Sequence, residues 1–143
     1  MADKQINIGI LGFGTVGQAI YRILKEDSSL IAARTGISLN VVKVLVRDTG
    51  KTRQIPCNCI THDANDILNS KDIDIVVEVM GGLSPAKQYI LQALQNKKSV
   101  VTANKALLAY HLPEILECAS EHGSGFGFEA SVAGCVPIIR SLK

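Results

Sequence analysis

Three glycines, Gly12, Gly14 and Gly17, stand in G-x-G-x-x-G spacing within the segment ILGFGTVGQAI at residues 10–20. Short glycine patterns recur in many loops, so the flanking residues decide what this one means. Ile6, Ile8, Ile10 and Leu11 form an apolar run before it; Val16, Ala19, Ile20, Ile23 and Leu24 follow at helical spacing. A strand, a glycine turn and a helix in that order make a seat for the pyrophosphate of a dinucleotide. Gly12 turns the chain sharply, Gly14 leaves the backbone open to a phosphate, and Gly17 lets the helix pack closely on the strand. The amides around Thr15 and Val16 then face the anion with the positive end of the helix dipole behind them. The competing reading is a tight glycine-rich turn without a ligand.

The end of the next strand candidate bears on which dinucleotide fits. It reads VLVRD, placing Arg47 and Asp48 there, with Lys51 and Arg53 in the following loop. An arginine at this position can pair with the 2′-phosphate of NADP, whereas a carboxylate accepts the ribose 2′-hydroxyl of NAD. The cationic cluster favours NADP, and Asp48 keeps NAD open. A solvated charged loop is the alternative for Lys51 and Arg53. Cys57 and Cys59 form C-x-C, which places both thiols on one face of a strand. The three histidines, His62, His111 and His122, complete no zinc spacing with them, so reduced, packed thiols are expected.

Strand and helix candidates alternate along the chain. Strands are expected at 6–11, 40–46, near 57–60, 74–80, 100–102 and 126–130. Helices are expected at 15–25, after Asp63 or Asn65, after Ser84 as an N-cap with Pro85 at the first helical position, and from Pro113 to a stop at Gly123. Residues 26–38 read as a long polar-to-mixed connection, and QNKKS at 95–99 as a polar exit with solvated lysines. The alternation implies an α/β fold: a doubly wound parallel sheet of Rossmann type, with right-handed crossovers and helices on both faces. Ligands of such sheets sit beyond the carboxyl ends of the strands, which points to residues 12–17, 47–53, 80–84, 102–105 and 129–136.

Composition excludes several classes. At 143 residues the chain suits one domain with a sizeable core. A net charge of +2, no Trp, three Tyr and three Phe provide neither an electrostatic footprint nor a stacking platform for nucleic acid. The start, MADKQINIGI, has only a strand-length apolar run, unlike a secretory leader, and no stretch is long enough to cross a membrane. A cytoplasmic protein is expected, and its four cysteines do not imply disulfides.

The segments GFGTVG, VLVRD, VVEVMGGLSPAKQYILQALQNKKSVVTANKALLA and FEASVAGCVPIIRSL together resemble the amino-terminal, nucleotide-binding part of homoserine dehydrogenase. The resemblance runs from about Ile6 to the last residue, and TANKALL and EASVAG are its most specific parts. It implies NAD(P)-linked interconversion of homoserine and aspartate 4-semialdehyde, a step toward threonine, methionine and isoleucine. It implies that Phe13, Thr15 and Val16 line the dinucleotide beside the glycines, and that Arg47 meets the adenosine ribose or its phosphate. Lys105, in TANK, is implied to lie near both nicotinamide and substrate. A monovalent cation, usually sodium, is implied at Glu129, Val132, Gly134 and Val136, held largely through backbone oxygens.

A lysine in the place of Lys105, just after a buried strand, can hydrogen-bond a substrate oxygen and donate its proton as hydride arrives. Spacing alone would class it with Lys97 and Lys98 as a solvated lysine. One departure from the family is Cys135, where a glycine is usual; a backbone there at positive φ would be strained. The other is length. The chain stops in PIIRSLK, read as partway along a helix, so residues 1–130 are expected to form the NAD(P)-binding domain. Residues 131–143 would begin a substrate and dimerisation domain, making the chain a fragment of a homo-oligomeric enzyme. Two rivals remain: a non-catalytic NAD(P)-sensing module, and another semialdehyde reductase or dehydrogenase on this fold. A thioester mechanism would need a nucleophilic cysteine, for which only Cys135 stands at a suitable strand end.

Overall fold

In the computed structural model, which describes residues 4–48 and 50–132, strand β1 (Lys4–Leu11) lies inside a six-stranded sheet. The chain continues through α1 (Thr15–Glu26), α2 (Ser28–Thr35), β2 (Ile37–Leu45), β3 (Ile60–Thr61), α3 (Asn65–Leu68) and β4 (Ile75–Glu78). It ends with α4 (Ala86–Gln95), β5 (Ser99–Thr102), α5 (Lys105–His122), β6 (Phe126–Gly127) and α6 (Glu129–Val132). Every strand pairing is parallel, in the order β3-β2-β1-β4-β5-β6. The chain therefore builds outward from β1 to one edge, returns to β4 on the other side of β1, and builds outward again. Strand order reverses between β1 and β4, as the alternating pattern predicts for a doubly wound sheet.

The core divides across the sheet. Ile8 and Ile10 join Phe13, Tyr21, Val44, Val46 and Val77 beneath α1. Leu11 faces the other layer, with Ile67, Leu68, Val76, Ile90, Leu94, Val100, Leu107 and Ile115 from α3, α4, α5 and their strands. That alternation is the period of two that a strand imposes. Gly9 falls on the second side because Ile67 occupies the place of its side chain: a Cβ there would lie 2.5 Å from Ile67 Cγ2.

Several expected elements are corrected. Residues 28–35 form α2 rather than a loop; the helix has no fully buried residue, so only a faint apolar stripe announced it. The buried face of α1 carries Gly17 and Tyr21, with Ile20 and Leu24 partly buried, whereas Val16 and Ile23 are exposed. Ser84 does not cap α4, which begins after Pro85 without a side-chain cap. Helix α5 starts eight residues before Pro113, because Asn104 caps it by accepting from the Leu107 amide at 3.2 Å. Pro113 is tolerated inside the helix on its exposed side, where the carbonyl of exposed Ala109, left without that donor, can meet water. The stop at Gly123 is as expected, with φ of 64°.

Lys98 is also unlike a solvated lysine. It is 4% exposed, and Nζ donates to the carbonyls of Ser70 and Ile73. Burial lowers its pKa, against the pull of Asp74 and Asp72. It sits beside an open cleft of 660 Å³ that includes Asn69, Lys71 and Lys97, at the amino-terminal end of the strands. That is the wrong end of the sheet for the usual ligand of this fold.

The tightest contact in the first crossover is at Gly17, where a Cβ would lie 2.2 Å from the Gly12 carbonyl oxygen. Backbone cannot yield as a flexible side chain can, so Gly17→Ala should destabilise the fold by about 2 kcal/mol or more, as overpacked sites do. Urea unfolding of the two chains measures it, and a loss below roughly 0.5 kcal/mol would mean that α1 does not press on the turn.

Candidate functional site

The glycine turn joins three strand ends. The Gly12 amide donates to the Leu45 carbonyl at the end of β2, 3.1 Å away, and the Val79 amide just beyond β4 donates to Leu11 at 3.0 Å. Gly12 has φ of +105°, and a Cβ on it would lie 2.9 Å from the Val79 carbonyl oxygen. Two independent constraints therefore require glycine at this position. Gly17 is required by helix packing. Gly14 is different: its φ is −78°, and a Cβ there would meet nothing of the protein within 4 Å. Neither conformation nor internal packing asks for a glycine at 14.

Helix α1 starts at this point with no side-chain cap and no acidic residue in its first turn. Its leading amides, at Thr15 and Val16, lie among exposed residues. The Phe13 ring, by contrast, is 6% exposed and packs edge-on against Tyr21 at 5.6 Å between ring centres. What Phe13 can offer a ligand is its backbone.

Arg47 is exposed two residues beyond β2, beside the turn, and no ion pair among the described residues involves it. The loop after it is braced from within. The Arg53 guanidinium donates to the carbonyls of Asp48 and Lys51, and the Gly50 amide to Asp48 Oδ1 at 2.8 Å. Arg53 is thus part of the loop's scaffold, while Lys51 is exposed. Gln18 fastens this loop to the turn. Its Oε1 accepts from the amides of Gln54 (2.9 Å) and Ile55 (3.2 Å), and its Nε2 donates to the carbonyls of Phe13 and Gly14, both at 3.4 Å. Sequence reading missed Gln18, since a glutamine in a first helical turn carries no signal of its own.

A second group of residues gathers at the ends of β4 and β5. Gly81 and Gly82 follow β4 with φ of 75° and 74°. Asn104 Nδ2 donates to the Gly82 carbonyl at 2.7 Å, so the cap of α5 also holds the loop after β4. Lys105 is the first residue of α5, exposed and without an ion pair among the described residues. A cation at the positive end of a helix is electrostatically unfavourable, which a purely structural residue would avoid. Glu78, Thr102, Asn104 and Ser131 are buried at these strand ends; Thr102 and Asn104 belong to TANK and Ser131 to EASVAG, but sequence reading singled out none of the four individually. The Ser131 hydroxyl donates to the Thr102 carbonyl at 2.8 Å and draws α6 onto the end of β5, across the expected boundary at 130/131.

Of the implied cation donors, Glu129 and Val132 lie on α6, with Glu129 opening a helical turn rather than ending a strand. Gly134 and Val136 lie outside the described residues, as does Cys135. No group of three His, Cys, Asp or Glu among the described residues could hold a metal ion. The thiols of Cys57 and Cys59 do share a face, 3.3 Å apart, although they precede β3 rather than lying on it. Burial and the neighbouring thiol push Cys59 up to about 11, so it stays a thiol at neutral pH. No helix among the described residues is long and apolar enough to cross a membrane.

Comparison with known proteins gives this geometry a family context. Residues 12–129 match the family model of the homoserine dehydrogenase NAD-binding domain. Homoserine dehydrogenase of Bacillus subtilis is 42% identical over 142 residues, covering 98% of this chain and 33% of that protein. The Helicobacter pylori enzyme is 41% identical over 140 residues, covering 98% and 32%. Among solved structures, homoserine dehydrogenase from Thiobacillus denitrificans superposes with a TM-score of 0.91 at 41% identity, over 97% of this chain and 32% of that one. A hyperthermophilic archaeal homoserine dehydrogenase in complex with NADPH superposes with a TM-score of 0.79 at 30% identity, over 97% and 48%. The chain spans about a third of the length of the curated relatives it matches.

Asn104 holds two parts of this site with one side chain, and its loss should be felt in both. Asn104→Ala should cost about 1–2 kcal/mol of stability in urea unfolding, the range of a lost helix cap. Asn104→Ser, which keeps a capping oxygen, should recover most of that; equal loss in both variants would remove the capping role.

Proposed function

The chain belongs to the homoserine dehydrogenase family as its NAD-binding domain, and on that premise we propose that it holds NAD(P)H across the carboxyl ends of β1, β2, β4 and β5. The observation that carries this reading is the contrast among the three glycines. Gly12 and Gly17 are demanded by the protein's own backbone, whereas Gly14 is demanded by nothing inside it and borders uncapped helix amides. A pyrophosphate approaching the turn accounts for Gly14 and for the missing cap together. Gly12, Phe13, Gly14, Thr15, Val16 and Gly17 would hold it, chiefly through backbone amides.

Arg47 would meet the 2′-phosphate of NADPH with charge-assisted hydrogen bonds. The archaeal relative's complex with NADPH supports that choice of nucleotide. Lys105 stands at the other half of the site, at the end of β5. There its ammonium would hydrogen-bond the substrate oxygen and give or take the proton as the carbonyl becomes an alcohol or the reverse. The nicotinamide, when bound, supplies or accepts the hydride. The reaction so served is the NAD(P)-dependent interconversion of L-homoserine and L-aspartate 4-semialdehyde, in an enzyme of the length of the relatives. Of the donors for sodium implied by the resemblance, too few lie among the described residues to carry a step.

The nucleotide assignment is tested on this chain by titrating NADPH and NADH against wild type and Arg47→Ala. NADPH should bind at least as well as NADH, and the variant should lose NADPH selectively, by about the 1.5–3 kcal/mol of a hydrogen bond to a charged group. Equal loss for both nucleotides, or none, would remove Arg47 from the phosphate site. In an enzyme of the relatives' full length, Lys105→Ala should lower aldehyde reduction about a hundredfold or more while nucleotide affinity falls less. Near-normal turnover would leave Lys105 a surface lysine.

A further inference from the structure

The geometry points to a role for Glu78, which neither the glycine turn nor Lys105 explains: we propose that it is the positioning residue of the nicotinamide half of the site. Glu78 ends β4 with 0% of its surface exposed. None of the ion pairs among the described residues includes it. A carboxyl group in such a place is costly, and an apolar residue in the run Ile75–Glu78 would pack there at less expense.

What the group receives is a set of hydrogen bonds with only one direction. The Met80 amide donates to Oε1 at 2.8 Å. The Asn104 amide donates to Thr102 Oγ1 at 3.0 Å, and the Thr102 hydroxyl donates in turn to Glu78 Oε2 at 2.6 Å. Both amides can only donate, and in this arrangement Glu78 accepts at both of its oxygens, directly from Met80 and through the Thr102 hydroxyl. Met80 leads into Gly81 and Gly82, and Asn104 reaches back to the Gly82 carbonyl and precedes Lys105. The loop after β4 and the start of α5 therefore form one closed hydrogen-bonded ring with Glu78 as its acceptor. In a doubly wound sheet the β4–β5 half is the second mononucleotide half, where the reactive ring lies. Glu78 thereby sets the distance between the loop that faces that ring and the ammonium of Lys105. This inference rests on the nucleotide-binding reading above.

Glutamine is the informative replacement because it keeps the shape and destroys the polarity. With its oxygen on the Met80 amide, its Nε2–H2 faces Thr102 Oγ1, so that bond reverses and the Thr102 hydroxyl hydrogen loses its acceptor; in the other orientation an N–H confronts the Met80 N–H. The experiment uses this 143-residue chain and two probes, NADPH and 2′,5′-ADP, which carries the adenosine half alone. Glu78→Gln should bind 2′,5′-ADP within about twofold of wild type and NADPH about tenfold or more weakly, the scale of one lost charge-assisted hydrogen bond. Thr102→Val should show the same split, and Thr102→Ser, which restores the hydroxyl, should regain most of what Thr102→Val loses. A purely structural role would weaken both probes together, so the split is the decisive readout. Should Glu78→Gln fail to fold, the two Thr102 variants, which leave the Glu78–Met80 bond in place, decide the matter by the same comparison. Unchanged NADPH binding in Glu78→Gln, or parallel loss of both probes in the variants, overturns the inference while leaving nucleotide binding intact. A wild-type chain that binds neither probe overturns the nucleotide reading and this inference with it.

Discussion

The rest of the structure depends on a backbone contact at Gly12. Its amide is bonded to the end of β2, its Cβ position is closed by the Val79 carbonyl beyond β4, and its own carbonyl is pressed by Gly17 of α1. Three strand ends and one helix start can converge only if nothing projects from that residue and its φ is positive. The convergence lies at the switch point between β1 and β4 and puts the first turn of α1 beside it. A side chain at Gly12 would not merely crowd a ligand. It would push β4 away from β1 and separate the two halves of the sheet.

Around that contact the two halves of the site are built from different materials. On the β1–β2 side the fixed parts are backbone groups, held in place by the neutral amide of Gln18 and by the inward-folded Arg53. On the β4–β5 side the fixed parts are side chains, Glu78, Thr102 and Asn104, buried beneath a loop with two left-handed glycines. The first arrangement suits an anion, which needs many donors and tolerates small shifts. The second suits a reacting centre, where a misplacement of about 1 Å can be worth a hundredfold in rate.

Much of this was legible in the sequence, for reasons that show where legibility ends. The glycine turn was readable because Gly12 and Gly17 answer local constraints and the flanking periods change from two to helical across it. The doubly wound parallel sheet followed from alternation, whereas its order, β3-β2-β1-β4-β5-β6, is known only from the structure. Helix α2 was not readable, because a helix with no fully buried residue leaves only a faint stripe. The start of α5 was hidden by Pro113, which reads as a first helical position, while the true cap, Asn104, is identified only by its bond to Leu107. Glu78 was the deepest omission. The strand around VVEVM was expected from the sequence, but its one polar residue was given no role. Only the meeting of β4 with β5, 24 residues on, shows that it faces inward onto Thr102.

Charge placement separates the cations that the protein pairs from those it leaves without an ion pair among the described residues. Lys87 pairs with Glu114 at 2.8 Å, Arg22 lies 3.9 Å from Glu26, and Lys98 spends its donors on the carbonyls of Ser70 and Ile73. Those cations have their electrostatic needs met by the protein. Arg47 and Lys105 are not in any ion pair among the described residues, and each stands exposed where a strand has just ended at the carboxyl face. Lys105 sits, besides, at the end of a helix that repels it. Exposed Lys51 and Lys71 are likewise in no ion pair among the described residues, so lack of a partner alone would mean little. What distinguishes these two is their place at the carboxyl ends of β2 and β5, the end of a doubly wound sheet at which ligands sit. Among the described residues no ion pair compensates either charge, and under the nucleotide-binding reading proposed above an anionic ligand laid across the strand ends would compensate the first and a substrate oxygen the second.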